Sequence, residues 1–178
     1  MVSAFEYQPL ISVVMPIYNV EEKWLRSAID SVLAQSYKNW ELCIADVNSS
    51  AVHIKPVLKE YSAKDSRIKI TFRQTNGHIS AASNTALKSA IGDFGALRDN
   101  DDWLAPDALL YAAAEILNDP AAALIYTDED KIDANNKRFG PAFKPDWSPD
   151  LLYSLNFLNH LSIFRRDILT KIGNFNEN

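Results

Sequence analysis

The stretch "LISVVMPIYNVEEKWLRSAIDSVLAQSYKNWELCIAD", residues 10–46, decides the fold. It opens with a β-branched apolar run ended by Pro16, which is typical of a buried strand. From Val20 onward, apolar residues recur at helical spacing with charged residues opposite, which predicts an amphipathic helix. "WELCIAD" then predicts a second buried strand that ends at Asp46. A strand, a helix and a strand in this order predict a βαβ unit, whose two strands run parallel.

The same alternation continues along the chain. Helices separate five predicted strands, which cover residues 11–15, 40–46, 68–73, 94–98 and 122–127. We expect Gly92 to close the helix before the fourth strand, and the helix after it to have Pro106 at its first position and Asp107 in its first turn. The pattern predicts an α/β fold with a mainly parallel sheet and helices on both faces.

The regular alternation of predicted strands and helices ends after Asp128. Turn chemistry at Asn135–Asn136 predicts a hairpin. A proline-rich segment comes next, and then "HLSIF" indicates a strand and a short helix ends near Gly173.

Composition limits the classes of function. The formal net charge is −5 and no basic block stands out, which argues against a nucleic-acid partner. One cysteine, Cys43, excludes an internal disulfide framework. No apolar run approaches the ~18 residues of a membrane helix, and the first basic residue is Lys23, unlike a signal peptide. We expect a cytoplasmic protein, with membrane contact at the inner face of the cell membrane only through partners or further sequence.

Polar residues follow three of the predicted strands. Tyr18, Asp46 and the segment 99–102 all come at strand ends. Ligands of parallel sheets bind beyond the carboxyl ends of the strands, so these residues predict a site at one rim.

The segment "RDNDDWL" carries three aspartates among four residues, 99–102, and has two interpretations. It is either a solvated loop that caps the next helix or a site for a hard cation. A calcium hand fits poorly, because Leu104 stands where the sixth position needs glycine. Mg²⁺ or Mn²⁺ fits better, since one or two carboxylates bind it together with substrate phosphates and water.

Six segments occur in the order of a known family: "SVVMPIYN", "SVLAQSYKNWELCIAD", "ISAASNTAL", "DNDDWLAPDAL", "YTDEDKID" and "FKPDWSPDLL". From Ile11 to about Phe175 the chain resembles the family 2 glycosyltransferases, especially bacterial enzymes of O-antigen and capsule synthesis. The resemblance implies a GT-A fold, a Rossmann-like nucleotide-diphospho-sugar transferase fold, in a single domain over residues 1–178. It implies inverting transfer from a UDP- or dTDP-sugar to a growing glycan or lipid-linked glycan, with Mn²⁺ or Mg²⁺ as cofactor.

The resemblance also implies residue roles around the nucleotide sugar. Pro16 and Tyr18 line the base pocket, and Asp46 closes it. Asn84 lies on the helix that flanks the nucleotide.

In the acidic segment, Asp99 is the outer member of the cluster and belongs to the nucleotide-sugar site. Asp101 contacts the ribose or the metal. Asp102 is the main metal ligand beside the diphosphate.

The chain departs from the family pattern at several positions. Val47 replaces a second aspartate that bonds the base, so we expect weak base discrimination. Arg98 replaces an apolar residue and has three interpretations. It pairs with Asp99, it reaches the diphosphate, or it faces solvent at the end of the strand. The chain stops before the segment that carries the family's catalytic base, so we expect the acceptor part to be truncated and assign no catalytic residue.

Other candidates have plain interpretations beside functional ones. Asp128 and Asp130 could replace the base but suit a polar strand end. His160 could face the diphosphate or an acceptor, or be an interior histidine. Trp103 and Trp147 could form a sugar platform, or serve core packing or surface cover.

Two rival classes of function stay open. The chain could be a truncated or decayed glycosyltransferase-like module that binds a nucleotide or a partner without catalysis. A sugar nucleotidyltransferase needs a glycine-rich loop after the first strand, and "PIYNVEEKW" contains no glycine.

Overall fold

The structure, a computed structural model, describes residues 7–177. Its strands are β1 (Ile11–Ile17), β2 (Trp40–Asp46), β3 (Ile68–Phe72), β4 (Phe94–Leu97), β5 (Leu124–Tyr126), β6 (Glu129–Ile132), β7 (Arg138–Ala142) and β8 (Ser162–Arg165). Its helices are α1 (Glu22–Leu33), α2 (Ile54–Lys64), α3 (His78–Ser89), α4 (Ala108–Asn118), α5 (Pro149–Ser154) and α6 (Arg166–Lys171). None of the helices within residues 7–177 has both the length and the apolar character needed to cross a membrane.

Six strands form one sheet in the order β3-β2-β1-β4-β8-β5. β1 pairs in parallel with β2 and β4, and β2 pairs in parallel with β3. The predicted α/β fold with a mainly parallel sheet is therefore confirmed. The fifth predicted strand, β5, has no parallel partner within residues 7–177, because β8 lies between β4 and β5 and runs antiparallel to both.

Helices cover both faces of the sheet. Ile11, Val13, Met15 and Ile17 of β1 belong to the larger core, which also contains buried residues of α1, α2 and α4. Val14 of β1 joins a smaller core with residues of α3 and α6. Successive side chains of a strand point to opposite faces, so one apolar strand serves both cores.

Two details of the helix ends differ from the prediction. α4 begins at Ala108 with Asp107 at the capping position, so the expectation that Pro106 takes the first helical position is wrong. The carbonyl of Pro106 instead accepts a hydrogen bond from the amide of Ser36 at 2.8 Å.

The predicted hairpin is confirmed: β6 and β7 pair as an antiparallel ribbon.

Gly92 does not close α3, which already ends at Ser89. A Cβ at Gly92 would lie 2.4 Å from the carbonyl oxygen of Leu10 and 2.7 Å from Oγ of Ser12. Glycine is needed here for this close approach of two backbone segments.

A buried carboxylate joins the strands at the amino end of the sheet. Glu41 accepts hydrogen bonds from Oγ of Ser12 at 2.6 Å and from the amide of Ile91 at 2.7 Å. Nζ of Lys69 pairs with its second oxygen at 2.5 Å. Burial alone would raise the pKa of Glu41, but the bonds from Lys69, Ser12 and Ile91 outweigh it and hold that pKa below its usual value.

Candidate functional site

The carboxyl ends of β2, β1 and β4 lie side by side at one edge of the sheet. Tyr18 follows β1 and is half exposed, Asp46 is the last residue of β2, and the acidic segment follows β4. The side-chain amide of Asn100 donates to the carbonyl oxygen of Pro16 at 3.1 Å, which ties the acidic loop to β1. The strand ends therefore meet at one rim, as the sequence predicts.

An Asp-Asp-His cluster occupies this rim. Oδ2 of Asp102 lies 2.9 Å from Nδ1 of His160, and Oδ2 of Asp99 lies 3.8 Å from the same nitrogen. One ligand atom of each residue lies within 4.8 Å of the other two. Asp101 is exposed and stands outside this group, so its predicted part in metal binding stays a prediction.

Strand topology brings His160 to the cluster. His160 precedes β8, and β8 runs antiparallel to β4, so the start of one strand meets the end of the other. From the sequence, His160 could contact the diphosphate, contact an acceptor or be an interior residue. The signal that could have resolved it is the strand pattern of "HLSIF", which starts at this residue.

The cluster concentrates negative charge. Burial raises the pKa of Asp99 above its ordinary value, and the neighbouring carboxylate of Asp102 raises it further. A cation bound between the two carboxylates would relieve this repulsion.

Arg98 lies directly under the acidic loop. It is 4% exposed, and burial lowers the pKa of its guanidinium to about 10. Nη1 donates to the carbonyl of Ala28 in α1 at 2.8 Å and to Oγ of Ser31 at 3.2 Å. Nη2 donates to the carbonyl oxygen of Asp102, and Nε is buried without a partner among residues 7–177. Arg98 is therefore neither surface-facing nor directly paired with Asp99.

A cavity of about 270 Å³ opens beside the cluster. Its lining residues include Asp99 and His160 of the cluster and Ile79 and Ser83 of α3. Further lining residues include the amide side chains of Asn156 and Asn159.

A larger groove of about 700 Å³ runs between α4 and β5. Tyr111, Glu115 and Tyr126 are among its lining residues, and none of the clustered acids or His160 borders it. The larger of these two cavities and the cluster of polar side chains are therefore at different places. We assign the site to the smaller cavity, because convergent polar groups define a site better than volume does.

The predicted base pocket contains an unpaired carboxylate oxygen. Asp46 is fully buried; its Oδ1 accepts from the amide of Ser49 at 3.2 Å, whereas its Oδ2 has no partner among residues 7–177. Val47 is 4% exposed and packs in the smaller core under α3. Its side chain therefore contributes to packing.

Asn19 connects the ends of β1 and β2. Its Oδ1 accepts from the amides of Ser50 at 2.9 Å and Ala51 at 3.0 Å, and its own amide donates to Oγ of Ser49 at 2.9 Å. Asn19 has a φ of 47°, in the left-handed region that asparagine tolerates better than most residues. Sequence reasoning did not single out this residue.

Asn84 bonds to the end of the described chain. Its Nδ2 donates to the carbonyl of Phe175 at 2.8 Å and to Oε1 of Glu177 at 2.7 Å, and its Oδ1 accepts from the amide of Phe175 at 3.0 Å. Its neighbour Ser83, not Asn84, lines the cavity.

Of the remaining candidates, two aspartates have partners in the hairpin and two tryptophans are exposed. Oδ1 of Asp128 accepts from the amide of Lys144 at 2.8 Å, and Oδ2 of Asp130 pairs with Nε of Arg138 at 2.6 Å. Both carboxylates thus brace the β6–β7 hairpin. The side chains of Trp103 and Trp147 are exposed.

Comparison with known structures defines the fold class. The crystal structure of S. aureus TarS 1–349 superimposes with a TM-score of 0.74 at 26% identity, over 94% of this chain and 50% of that one. A mannosyltransferase, PcManGT from Pyrobaculum calidifontis, in complex with GDP-Man and Mn²⁺, shares the fold with a TM-score of 0.70 at 19% identity, over 97% and 49%. These neighbours are GT-A glycosyltransferases, which confirms the predicted fold.

Sequence comparison then gives the family. The profile of glycosyl transferase family 2 matches residues 12–173, and the chain belongs to that family. An uncharacterized protein, y4gI, of Sinorhizobium fredii is 48% identical over 169 residues, which are 95% of this chain and 19% of that protein. The O-antigen biosynthesis protein RfbC of Myxococcus xanthus is 38% identical over 176 residues, 99% of this chain and 14% of RfbC. The chain thus spans less than a fifth of these two relatives.

Proposed function

We propose that this domain transfers a sugar from a UDP- or dTDP-sugar donor, with inversion, to a growing glycan or lipid-linked glycan. The observation that carries the proposal is the cluster of Asp99, Asp102 and His160 beside a cavity at the carboxyl edge of the sheet. Membership of glycosyl transferase family 2 and the similarity to an O-antigen biosynthesis protein support it.

The residues of the cluster fit a divalent cation. Two carboxylates supply the oxygen ligands that Mg²⁺ and Mn²⁺ prefer, and the imidazole of His160 favours Mn²⁺, because nitrogen ligands suit transition metals better than Mg²⁺. When bound, the cation would neutralise the charge that develops on the diphosphate leaving group. Three protein ligands leave coordination positions for phosphate oxygens and water.

The nucleotide would lie across the ends of β1 and β2. The exposed ring of Tyr18 offers a face for the base, and Pro16 lies at the same strand end. Asp46 offers its unpaired Oδ2 to a base that carries a ring N–H, as uracil and thymine do. Because Asp46 is fully buried, this contact requires a small opening of residues 47–51. In this proposal Asp101, which is exposed, would contact the ribose.

The sugar would occupy the cavity beside the cluster. Asn156, Asn159 and Ser83 provide neutral hydrogen-bonding groups, which suit sugar hydroxyls. The exposed indole of Trp147 offers an apolar face to the acceptor glycan. We place the reaction in the cytoplasm, with the acceptor presented at the inner face of the membrane.

Donor hydrolysis tests the proposal. Purified protein is incubated with UDP-glucose, UDP-N-acetylglucosamine and dTDP-glucose, in Mn²⁺ or in EDTA, and released nucleotide is measured. We expect Mn²⁺-dependent release from at least one donor, abolished in Asp102→Asn and unchanged in Lys88→Ala, which alters an exposed residue of α3. Nucleotide binding without release would support the non-catalytic module, and neither binding nor release would overturn the proposal.

A further inference from the structure

Arg98 is a buried positive charge without a carboxylate in contact. Its guanidinium is bonded to two carbonyl oxygens and one hydroxyl, and no carboxylate among residues 7–177 forms an ion pair with it. A buried cation without an ion pair is costly, and structural packing alone would be served as well by an apolar residue. The charge itself therefore needs a reason.

The position of the charge relates it to the site. Nη2 binds the main chain of Asp102, one of the clustered acids, and Arg98 also lines the cavity beside the cluster. The charges that act on its guanidinium are those of Asp102, Asp99 and Asp101, all in the acidic loop. The guanidinium thus lies between the body of the protein and the acidic loop, on the side away from solvent.

We propose that Arg98 is a positioning residue whose fixed charge sets the balance between metal and nucleotide at this site. The charge opposes a divalent cation and attracts a diphosphate. It therefore weakens metal binding in the absence of nucleotide and retains part of the nucleotide affinity in the absence of metal. This role rests on the proposed function, because it requires both partners to bind beside the cluster.

Substitution can separate the charge from the hydrogen bonds. Arg98→Met and Arg98→Gln are both neutral, and the glutamine amide can still donate to the carbonyl of Ala28. Arg98→Lys retains the charge but loses the paired donors of the guanidinium. Ser31→Ala removes one hydrogen-bond acceptor of Arg98 and leaves all charges in place.

Two affinities are measured for each variant: Mn²⁺ alone, by electron paramagnetic resonance of the free ion, and UDP in EDTA, by calorimetry. In both neutral variants we expect Mn²⁺ to bind about tenfold more tightly and UDP about tenfold more weakly, as expected for a nearby charge in a partly screened interior. Arg98→Lys and Ser31→Ala should stay within about threefold of wild type for both, because the charge remains. Thermal unfolding confirms that each variant is folded.

Opposite shifts in the neutral variants support the role of the charge. A parallel loss of both affinities, or equal behaviour of Arg98→Lys and Arg98→Gln, would show a purely structural role and overturn the inference. If Arg98→Met does not fold, Arg98→Gln and Arg98→Lys provide the same comparison. A wild type that binds neither UDP nor Mn²⁺ overturns the proposed function as well, whereas a wild type that binds both without opposite shifts in the variants overturns the role of Arg98 alone.

Discussion

Oδ2 of Asp102 and Nδ1 of His160 lie 2.9 Å apart, although 58 residues separate them in the chain. Asp102 follows the parallel strand β4, and His160 precedes the antiparallel strand β8. The pairing of these two strands therefore fixes the distance between two side chains that local sequence does not relate. The cluster depends on this one strand pair.

Substitutions should show whether Asp99 and His160 bind the metal and whether Asp101 does not. Asp99→Asn and His160→Ala should each weaken Mn²⁺ binding in the presence of UDP by about tenfold or more, because the first removes a negative charge from the cluster and the second removes a ligand nitrogen. Asp101→Asn is the comparison, made at saturating UDP because Asp101 is proposed to contact the ribose; Asp101 is exposed and outside the cluster, so the Mn²⁺ affinity should change by less than about threefold. Calorimetric titration measures all three. An effect of Asp101→Asn as large as that of Asp99→Asn would support the sequence-based ligand pair Asp101 and Asp102 instead.

Metal and nucleotide should bind cooperatively. Linkage requires Mn²⁺ and UDP to raise each other's affinity by the same factor. Asp102→Asn should remove most of this coupling, and it should leave the unfolding temperature nearly unchanged because Arg98 binds the carbonyl and not the carboxylate of Asp102. Titration of UDP with Mn²⁺ and with EDTA measures the coupling. Equal affinity of wild type for UDP in both would identify the acidic segment as a solvated loop.

The two glycines near β4 should differ in their tolerance of alanine. A Cβ at Gly92 meets the carbonyl oxygen of Leu10 at 2.4 Å, so Gly92→Ala should lower the free energy of unfolding by about 2–4 kcal/mol. A Cβ at Gly95 meets only Leu87 at 3.5 Å, which is an ordinary contact. Gly95→Ala should therefore change the free energy of unfolding by less than about 1 kcal/mol. Urea denaturation measures both. Similar losses in the two variants would contradict the close approach at Gly92.

Glu41 should make the stability of the fold dependent on acid. Because the folded pKa of Glu41 lies below its ordinary value of 4.5, its contribution is complete above pH 4.5 and is lost as the pH falls through the folded pKa. Glu41→Gln should lower the free energy of unfolding at pH 7 by about 1–3 kcal/mol, and the difference from wild type should shrink below pH 4.5.

Urea denaturation between pH 3 and 7 tests the role of Glu41. The matched control is Glu60→Gln, which removes a partly exposed carboxylate paired with Arg26 and Lys64 and should have a smaller effect on the free energy of unfolding, because solvent screens these two ion pairs. A difference between Glu41→Gln and wild type that stays constant with pH would contradict the ionised role of Glu41.

Asn84 offers a test between two roles. The structure bonds its amide to Phe175 and Glu177, so Asn84→Ala should reduce the hydrogen-exchange protection of residues 173–177 by about tenfold. Lys88→Ala, on the same helix and exposed, should leave that protection unchanged. If Asn84→Ala weakens UDP binding and leaves the protection intact, Asn84 serves the nucleotide, as the family resemblance implies.

Local sequence was sufficient for the parallel half of the fold. The bounds of β2 match the prediction, because a short and mainly apolar run that ends at a polar residue is consistent with a buried strand. The rim was also predictable, since Tyr18, Asp46 and the acidic segment each come directly after a recognisable strand. These features depend only on residues that are adjacent in the chain.

Long-range pairing could not be predicted in the same way. The place of β8 between β4 and β5 depends on hydrogen bonds between distant segments, so the partner of Asp102 was missed. Burial of Arg98 was missed for a similar reason, because its partners Ala28 and Ser31 belong to α1. A charged residue at a strand end predicts solvent exposure unless a distant helix supplies its acceptors.

The pairing of β5 with β8 has a consequence for how this domain can diversify. Tyr126 and Ser162 are opposite each other across these two strands, so the whole excursion over residues 127–161 leaves the sheet and returns at adjacent points. Such a segment can be lengthened, shortened or exchanged without changing the order of the strands, provided that His160 is kept directly before β8. In related domains the parallel strands would then stay constant while the segment 127–161 varies, and under the proposed function this segment would decide which acceptor is bound.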